Sequence, residues 1–133
     1  MQSAKPIYKK AFEPIDHYEE STWMGNDTPF METEYTGVFH DKYPCTPGHT
    51  LFIPKKNTPE YVGQSYGLAY EYGNKKVKEG KMMGFNVGMN IGLCAGQTIL
   101  WPHIHFIPRH EGDSEHHGGM RYAHPNADHN HYY

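Results

Sequence analysis

A chain of 133 residues has room for one sheet-based core and not for two. With 37% hydrophobic residues and a mean hydropathy of -0.81, no stretch approaches the roughly 20 apolar residues of a membrane helix. A formal charge of -3 and a pI near 6.4 exclude broad electrostatic binding of DNA or RNA, so any nucleotide would be recognised locally, in a pocket.

In chain order, the first residues (Met1 to Lys10) are charged and lack an apolar run, so no secretory leader is expected. Cys45 and Cys94 have no CxxC spacing and read as reduced thiols of a cytoplasmic protein. A short helix is expected around Pro14 to Glu20. A hairpin follows over Thr22 to Met31, with Gly25-Asn26-Asp27 as its turn. Tyr35 to His40, rich in β-branched and aromatic residues, predicts a strand. Asp41 to Gly48, with two prolines and a glycine, predicts a turn. A second strand runs from His49 to Ile53 and is stopped by Pro54.

Thr58-Pro59 has the form of a helix start, Thr as cap and Pro in the first turn. The helix is expected over Pro59 to Glu79, with Leu68, Ala69 and Tyr72 on one face. Lys75, Lys76 and Lys78 suit its negative end, and Gly80 terminates it. Phe85 to Ile91 alternates as a strand, Leu93 to Thr98 is a tight connection, and Ile99 to Ile107 alternates again. On that last strand Trp101, His103 and His105 share one face. Leu100, Ile104 and Phe106 point to the other, toward the core. Two imidazoles along one strand face make a concave polar site. Pro102 removes a ladder donor, which suits an edge position or a bulge.

The run Asn90 to Arg109, N-I-G-L-C-A-G-Q-T-I-L-W-P-H-I-H-F-I-P-R, closely resembles the signature of the histidine triad (HIT) superfamily. That pattern is Asn-x-Gly, then Ala/Gly-Gly-Gln-Ser/Thr, then three histidines alternating with apolar residues. Upstream, Asp41 to Lys55 looks like the family's other fingerprint, in which Pro-Gly-His opens a strand ending in Pro-Lys. Glu111 to Tyr122 resembles its downstream segment. The likeness covers about residues 34–122 of one domain spanning 1–133, and two separated motifs in the right order make it specific. One position departs: the first triad histidine falls at 101, where the chain has Trp101.

The resemblance implies an α+β fold, an antiparallel sheet of about five strands with one main helix packed on a face. It implies a homodimer and a nucleotide hydrolase or nucleotidyl transferase. The reaction lies at the α-phosphate of nucleoside phosphoramidates, nucleotide esters or dinucleoside polyphosphates. The central histidine, His103, is the covalent nucleophile, with His105 a donor and His49 behind it in a supporting role. Asp41 would contact the ribose hydroxyls, and Asn90 the phosphate or leaving-group side. Gln97 and Thr98 would donate to the phosphate. Such chemistry needs a neutral imidazole aimed at phosphorus, its tautomer fixed through the other nitrogen, and donors in place for the developing charge. No cofactor is required, although a divalent cation would accompany a polyphosphate substrate.

Blander readings stand beside these. Gln97 and Thr98 suit an ordinary polar turn, His49 and Asp41 suit backbone capping around the proline turn, and Asn90 suits a strand end. Trp101 either fills volume beside His103, the preferred reading, or forms an aromatic platform for a base or leaving group. His110, His116, His117, His124, His129 and His131 lie among Gly, Asp, Asn and Pro and read as solvated loop. Two other functions remain: a nucleotide-binding module with little turnover because of Trp101, and a histidine-rich zinc-binding protein.

Overall fold

The computed structural model describes residues 11–21, 23, 28–115 and 118–128. Five strands form one antiparallel sheet: β1 (Met31–Glu32), β2 (Thr36–His40), β3 (Thr50–Pro54), β4 (Gly84–Gly88) and β5 (Ile104–Arg109). Their spatial order is β1-β2-β3-β5-β4. The helix α1 (Pro59–Lys78) crosses between β3 and β4. This is the α+β arrangement expected.

The side-chain period of two sorts the sheet into two faces. In register, Val38 lies opposite Phe52 and Phe52 opposite Ile104. These residues, with Phe106 and Ala69 of α1, form a buried cluster against which Tyr72, Leu68 and Phe85 pack. The helix is locally well specified. Thr58 accepts from the Tyr61 N–H, Pro59 occupies the first turn, and three lysines close the last turn. It is pinned to the sheet by polar contact as well. Thr36 Oγ1 lies 2.7 Å from Ser65 Oγ, which donates to the Tyr61 carbonyl.

The opposite face carries Phe39 opposite Leu51, and Leu51 opposite His105. Its apolar half is covered by the N-terminal segment: Ile15, Tyr18 and Trp23 cluster with Phe39, Leu51, Ile53, Ile99 and Trp101. That segment runs beside the residues leading into β5. Phe12 N–H donates to the Thr98 carbonyl over 2.7 Å, and Pro14 forms a parallel bridge with Leu100. The Tyr18 ring lies so close over Gly37 that any Cβ there would collide with its hydroxyl.

Several boundaries move from expectation. The helix expected at 14–20 is a single 3-10 turn, Tyr18–Glu20, because Pro14 is used in the bridge. The turn of the hairpin expected over 22–31, Gly25-Asn26-Asp27, lies outside the described residues; Met31 and Glu32 pair with β2. The strand expected over 85–91 ends at Gly88, after which the chain is irregular. The last strand begins at Ile104 rather than Ile99 and runs to Arg109. Pro102 has no N–H to offer a ladder, so the stretch before Ile104 leaves the sheet. β5 itself is interior, between β3 and β4, so the edge position suggested by Pro102 is not the one found. His110 and His124 are exposed; His116, His117, His129 and His131 lie outside the described residues. Among the described residues no helix is long and apolar enough to cross a membrane.

The α1 glycines separate into two kinds. A Cβ at Gly73 would meet the Phe85 ring at 2.5 Å, whereas a Cβ at Gly67 meets nothing within 4 Å. Phe85 is held in place by stacking on Phe106 at 5.1 Å. Gly67→Ala should therefore raise stability by about 0.8 kcal/mol through helix propensity. Gly73→Ala should lower it by about 1–3 kcal/mol through overpacking, less that same gain. Thermal unfolding of the two variants should move Tm in opposite directions; movement in the same direction would contradict the packing of α1 on β4.

Candidate active site

Three histidines and one aspartate meet on the strap-covered face, where β2, β3 and β5 lie side by side. His105 is on β5 opposite Leu51, and His49 immediately precedes β3. Asp41 follows β2, its N–H bonded to the His49 carbonyl at 3.1 Å. His103 stands two residues before His105 on the same face. Asp41, His49 and His103 are each at most 8% exposed.

The hydrogen bonds fix the tautomers. His103 Nδ1 lies 2.7 Å from the Trp101 carbonyl oxygen. A carbonyl only accepts, so Nδ1 carries the proton and Nε2 of the neutral ring keeps its lone pair. His49 Nδ1 accepts from the Cys45 N–H at 3.2 Å, which puts the proton of that neutral ring on Nε2. His49 Nε2 is 3.0 Å from His105 Nδ1 and 3.4 Å from Asp41 Oδ2. It therefore donates to His105, whose remaining proton sits on Nε2. One main-chain amide in the Pro44–Gly48 turn thus sets the orientation of two imidazoles in series.

Burial keeps all three rings neutral. It lowers the pKa of His103, against the opposing pull of the Trp101 carbonyl and Asp41. His49 is lowered for the same reason and opposed by Asp41. His105 falls to about 4, through burial first and then through the neighbouring His103 and His49.

A small cavity of about 110 Å³ opens among Trp23, Asp41, Asn90, Thr98, His103 and His105. Six of the seven residues singled out from the sequence are thereby placed on or beside it: His103, His105, Asp41, Asn90 and Thr98 line it, and His49 stands behind His105. Gln97 is placed elsewhere. Its Oε1 accepts from Gly92 N–H at 2.9 Å and its Nε2 donates to the Ile99 carbonyl at 3.1 Å. The amide thus ties the loop around the Leu93–Ala95 turn, and it lines a different hollow, with Asn57 and Leu100. Asp41 caps its turn and also faces the cavity. Oδ1 accepts from Tyr43 N–H at 2.7 Å, an Asx turn, while the residue still lines the cavity.

Trp101 fills volume. Its side chain is 3% exposed in the core, its Nε1–H donates to the Pro54 carbonyl at 2.9 Å, and it is not among the cavity's lining residues. Trp23 was not singled out from the sequence. Its ring centre stands 4.8 Å from that of His103, tilted by 46°. The surrounding sequence carries no motif, and only the rarity of tryptophan, two in the chain, hinted at it.

Asp41, His49 and His105 each bring one ligand-capable atom to within 4.8 Å of the others. A metal-bound imidazole carries its proton on the nitrogen away from the metal and donates it outward. His49 has the reverse arrangement, because its outer nitrogen accepts from Cys45. Metal binding through Nε2 would break that bond, so the donor set suits a chain of proton donors better than a ligand set.

A family model described as HIT domain matches residues 25–112. An uncharacterized HIT-like protein of Methanocaldococcus jannaschii is 38% identical over 90 residues, 63% of this chain and 70% of that protein. A protein of Arabidopsis thaliana named adenylylsulfatase is 36% identical over 80 residues, 55% of this chain and 41% of its own length. A crystal structure of a zinc-bound histidine triad family protein from Mycobacterium smegmatis superposes with a TM-score of 0.58 at 32% identity. That superposition covers 63% of this chain and 66% of the other. The chain thus spans less than two thirds of the plant and mycobacterial proteins.

The buried neutral rings make stability depend on pH. In the unfolded chain each imidazole takes up a proton near pH 6.5, whereas in the folded chain His105 does so only at about 4. Between these values the unfolded chain holds more protons, so acid favours it. The contribution is fully present above about pH 6.5. For His105 it is lost as pH falls toward 4, by up to about 1.4 kcal/mol per pH unit. Urea unfolding at about pH 7.5 and pH 5 should show a lower midpoint in acid, and His105→Gln should flatten the difference. A midpoint equal at both pH values would contradict burial of neutral rings.

Proposed function

The chain belongs to the HIT domain family, and on that footing we propose that it is a nucleotide hydrolase or nucleotidyl transferase working through a covalent nucleotidyl-His103. Its substrates are nucleoside phosphoramidates, nucleotide esters or dinucleoside polyphosphates, attacked at the α-phosphate. Similarity to a protein named adenylylsulfatase supports a nucleotide substrate. The observation that carries the reading is the bond from His103 Nδ1 to the Trp101 carbonyl, which leaves Nε2 as the nucleophilic nitrogen of a ring lining the cavity.

In the first step the Nε2 lone pair forms a bond to the α-phosphorus. The bond from phosphorus to the leaving group breaks, and its electron pair departs with that group, an amine leaving group taking up one proton from solvent as it goes. The ring, now substituted on Nε2 and protonated on Nδ1, is a cation, and the Trp101 carbonyl already lies against its N–H. His105 presents Nε2–H to the phosphoryl oxygens as they gain charge, held in that tautomer by His49 and by the Cys45 amide. Asp41 accepts from the ribose, and Thr98 and Asn90 bound the phosphate. Water, or another acceptor, then attacks phosphorus, loses a proton to solvent, and returns the N–P electron pair to Nε2. Desolvation favours the first step, because a lowered His103 pKa keeps the nucleophile uncharged at neutral pH.

The competing idea of a module disabled at Trp101 has less support. The Trp101 side chain is packed in the core, and the main-chain oxygen that orients His103 does not depend on side-chain identity. No metal takes part in the covalent step, a divalent ion serving only to accompany a polyphosphate. The reading includes a homodimer, as the family resemblance implies, and a cytoplasmic location, for which the two free cysteines are the support.

Intact-mass measurement after brief mixing with adenosine 5′-phosphoramidate should detect a nucleotidyl adduct that maps to His103 and AMP release that persists with a chelator. His103→Ala should lose both, with turnover down by at least about 10³-fold. His105→Ala should retain the adduct but lower kcat by about 10²–10³-fold, the usual effect of removing one charge-stabilising donor. Turnover by His103→Ala at the wild-type rate would rule the mechanism out.

A further inference from the structure

Two hollows meet at Asp41. One is the cavity of about 110 Å³ beside His103. The other, of about 200 Å³, is lined by Thr28, Phe39, His40, Asp41 and Lys42. Among the described residues, Asp41 alone is common to both. A nucleotide whose ribose is held at Asp41 and whose phosphorus faces His103 directs its base into the second hollow. The first hollow is then left to the phosphoryl group and its substituent; beyond Asp41, His103 and His105 its walls are Trp23, Leu51, Asn90, Gly96, Thr98 and Ile99.

Trp23 is the largest of those walls and lines only the first hollow. The indole is 4% exposed, leans on His103, and belongs to the buried cluster that includes Ile15, Tyr18 and Trp101. The segment preceding it is fastened to the Thr98–Leu100 stretch by the Phe12–Thr98 hydrogen bond and the Pro14–Leu100 bridge. It is a packed wall rather than a loose surface side chain. Sites for drug-sized or nucleotide-sized ligands run to roughly 300–1,000 Å³. A volume of about 110 Å³ takes a phosphoryl group and a substituent of a few atoms, and not a second nucleotide.

We propose that Trp23 is a specificity-determining residue that limits this site to nucleotidyl substrates with a compact leaving group, such as an amine or a sulfate, and excludes those whose leaving group is a nucleoside polyphosphate. The proposal rests on the nucleotidyl-histidine reading above, and deepens it by choosing among the substrates that reading admits.

The test compares kcat/KM for adenosine 5′-phosphoramidate, whose leaving group is ammonia, with that for diadenosine tetraphosphate, whose leaving group is ATP. Wild type should favour the phosphoramidate by at least about 10²-fold. Trp23→Ala should shift the ratio toward the tetraphosphate by about tenfold or more, and Trp23→Phe should shift it in the same direction by less. Partial loss of folded protein scales both substrates equally and leaves the ratio unmoved, so a purely structural role gives a different result. If Trp23→Ala does not fold, the wild-type preference and the Trp23→Phe ratio decide. Equal use of both substrates by wild type, or a ratio that moves less than twofold in folded variants, would overturn the proposal while leaving the mechanism standing. Absence of any His103 adduct in wild type with either substrate would instead remove the mechanism beneath it.

Discussion

The bond from His103 Nδ1 to the carbonyl oxygen of Trp101, 2.7 Å long, is the contact on which the site turns. Without an acceptor there, nothing would hold the proton on Nδ1, and the outward nitrogen would not be kept as a lone pair. The carbonyl is available because the chain is out of the sheet at this point. A residue in a regular ladder gives its C=O to a neighbouring strand, but β5 begins only at Ile104, after the proline that breaks the ladder. The carbonyl is held in place because the same residue's indole is buried and bonded to the Pro54 oxygen. Trp101 thus anchors through its side chain and orients His103 through its main chain. The departure from three alternating histidines leaves the second of these functions intact.

The second imidazole pair is built differently. His49 and His105 are oriented by a main-chain donor, the Cys45 amide, where His103 is oriented by a main-chain acceptor. The rings of His103, just before β5, and His105, within it, therefore end with opposite outward character: Nε2 of His103 offers a lone pair and Nε2 of His105 a proton. A nucleophile beside a donor is what displacement at a phosphoryl centre needs. The arrangement holds only while all three rings stay neutral, which is why their burial and lowered pKa values belong to function as much as to packing.

Much of this was legible in the sequence because it is local or periodic. Alternation alone put His103 and His105 on one face and Ile104 and Phe106 on the other. Thr58-Pro59 and the lysines marked both ends of α1 to within a residue. What escaped was non-local. Trp23 reaches His103 across some 80 residues, in a segment with no hydrophobic period, so nothing near it in sequence announces the contact. Gln97 was misleading for the opposite reason: a primary amide beside glycines can close its own loop, and its two bonds to Gly92 and Ile99 do so. Asp41 caps its turn, as the backbone reading expects, and still lines the cavity, since a carboxylate has enough lone pairs to cap a turn with one oxygen and leave the other free for a second partner. The start of β5 was misplaced because side-chain alternation continues through Trp101 to Ile107 although the hydrogen-bonded ladder does not.

A sheet has two faces, and α1 covers only one of them. The other must be closed by something else or left wet, and here it is divided. The apolar half, from Phe39 through Ile53 to Trp101, is closed by the N-terminal strap; the polar half, from Asp41 through His49 to His105, is the site. The boundary between them runs through Trp23 and His103, whose rings touch. The strap therefore cannot bury its own tryptophan without also narrowing the cavity, and the cavity cannot widen without exposing part of that core. If Trp23 limits substrate size as proposed, stability and selectivity are coupled through one aromatic contact, and a substitution that relaxes selectivity at this boundary weakens the packing of the same face.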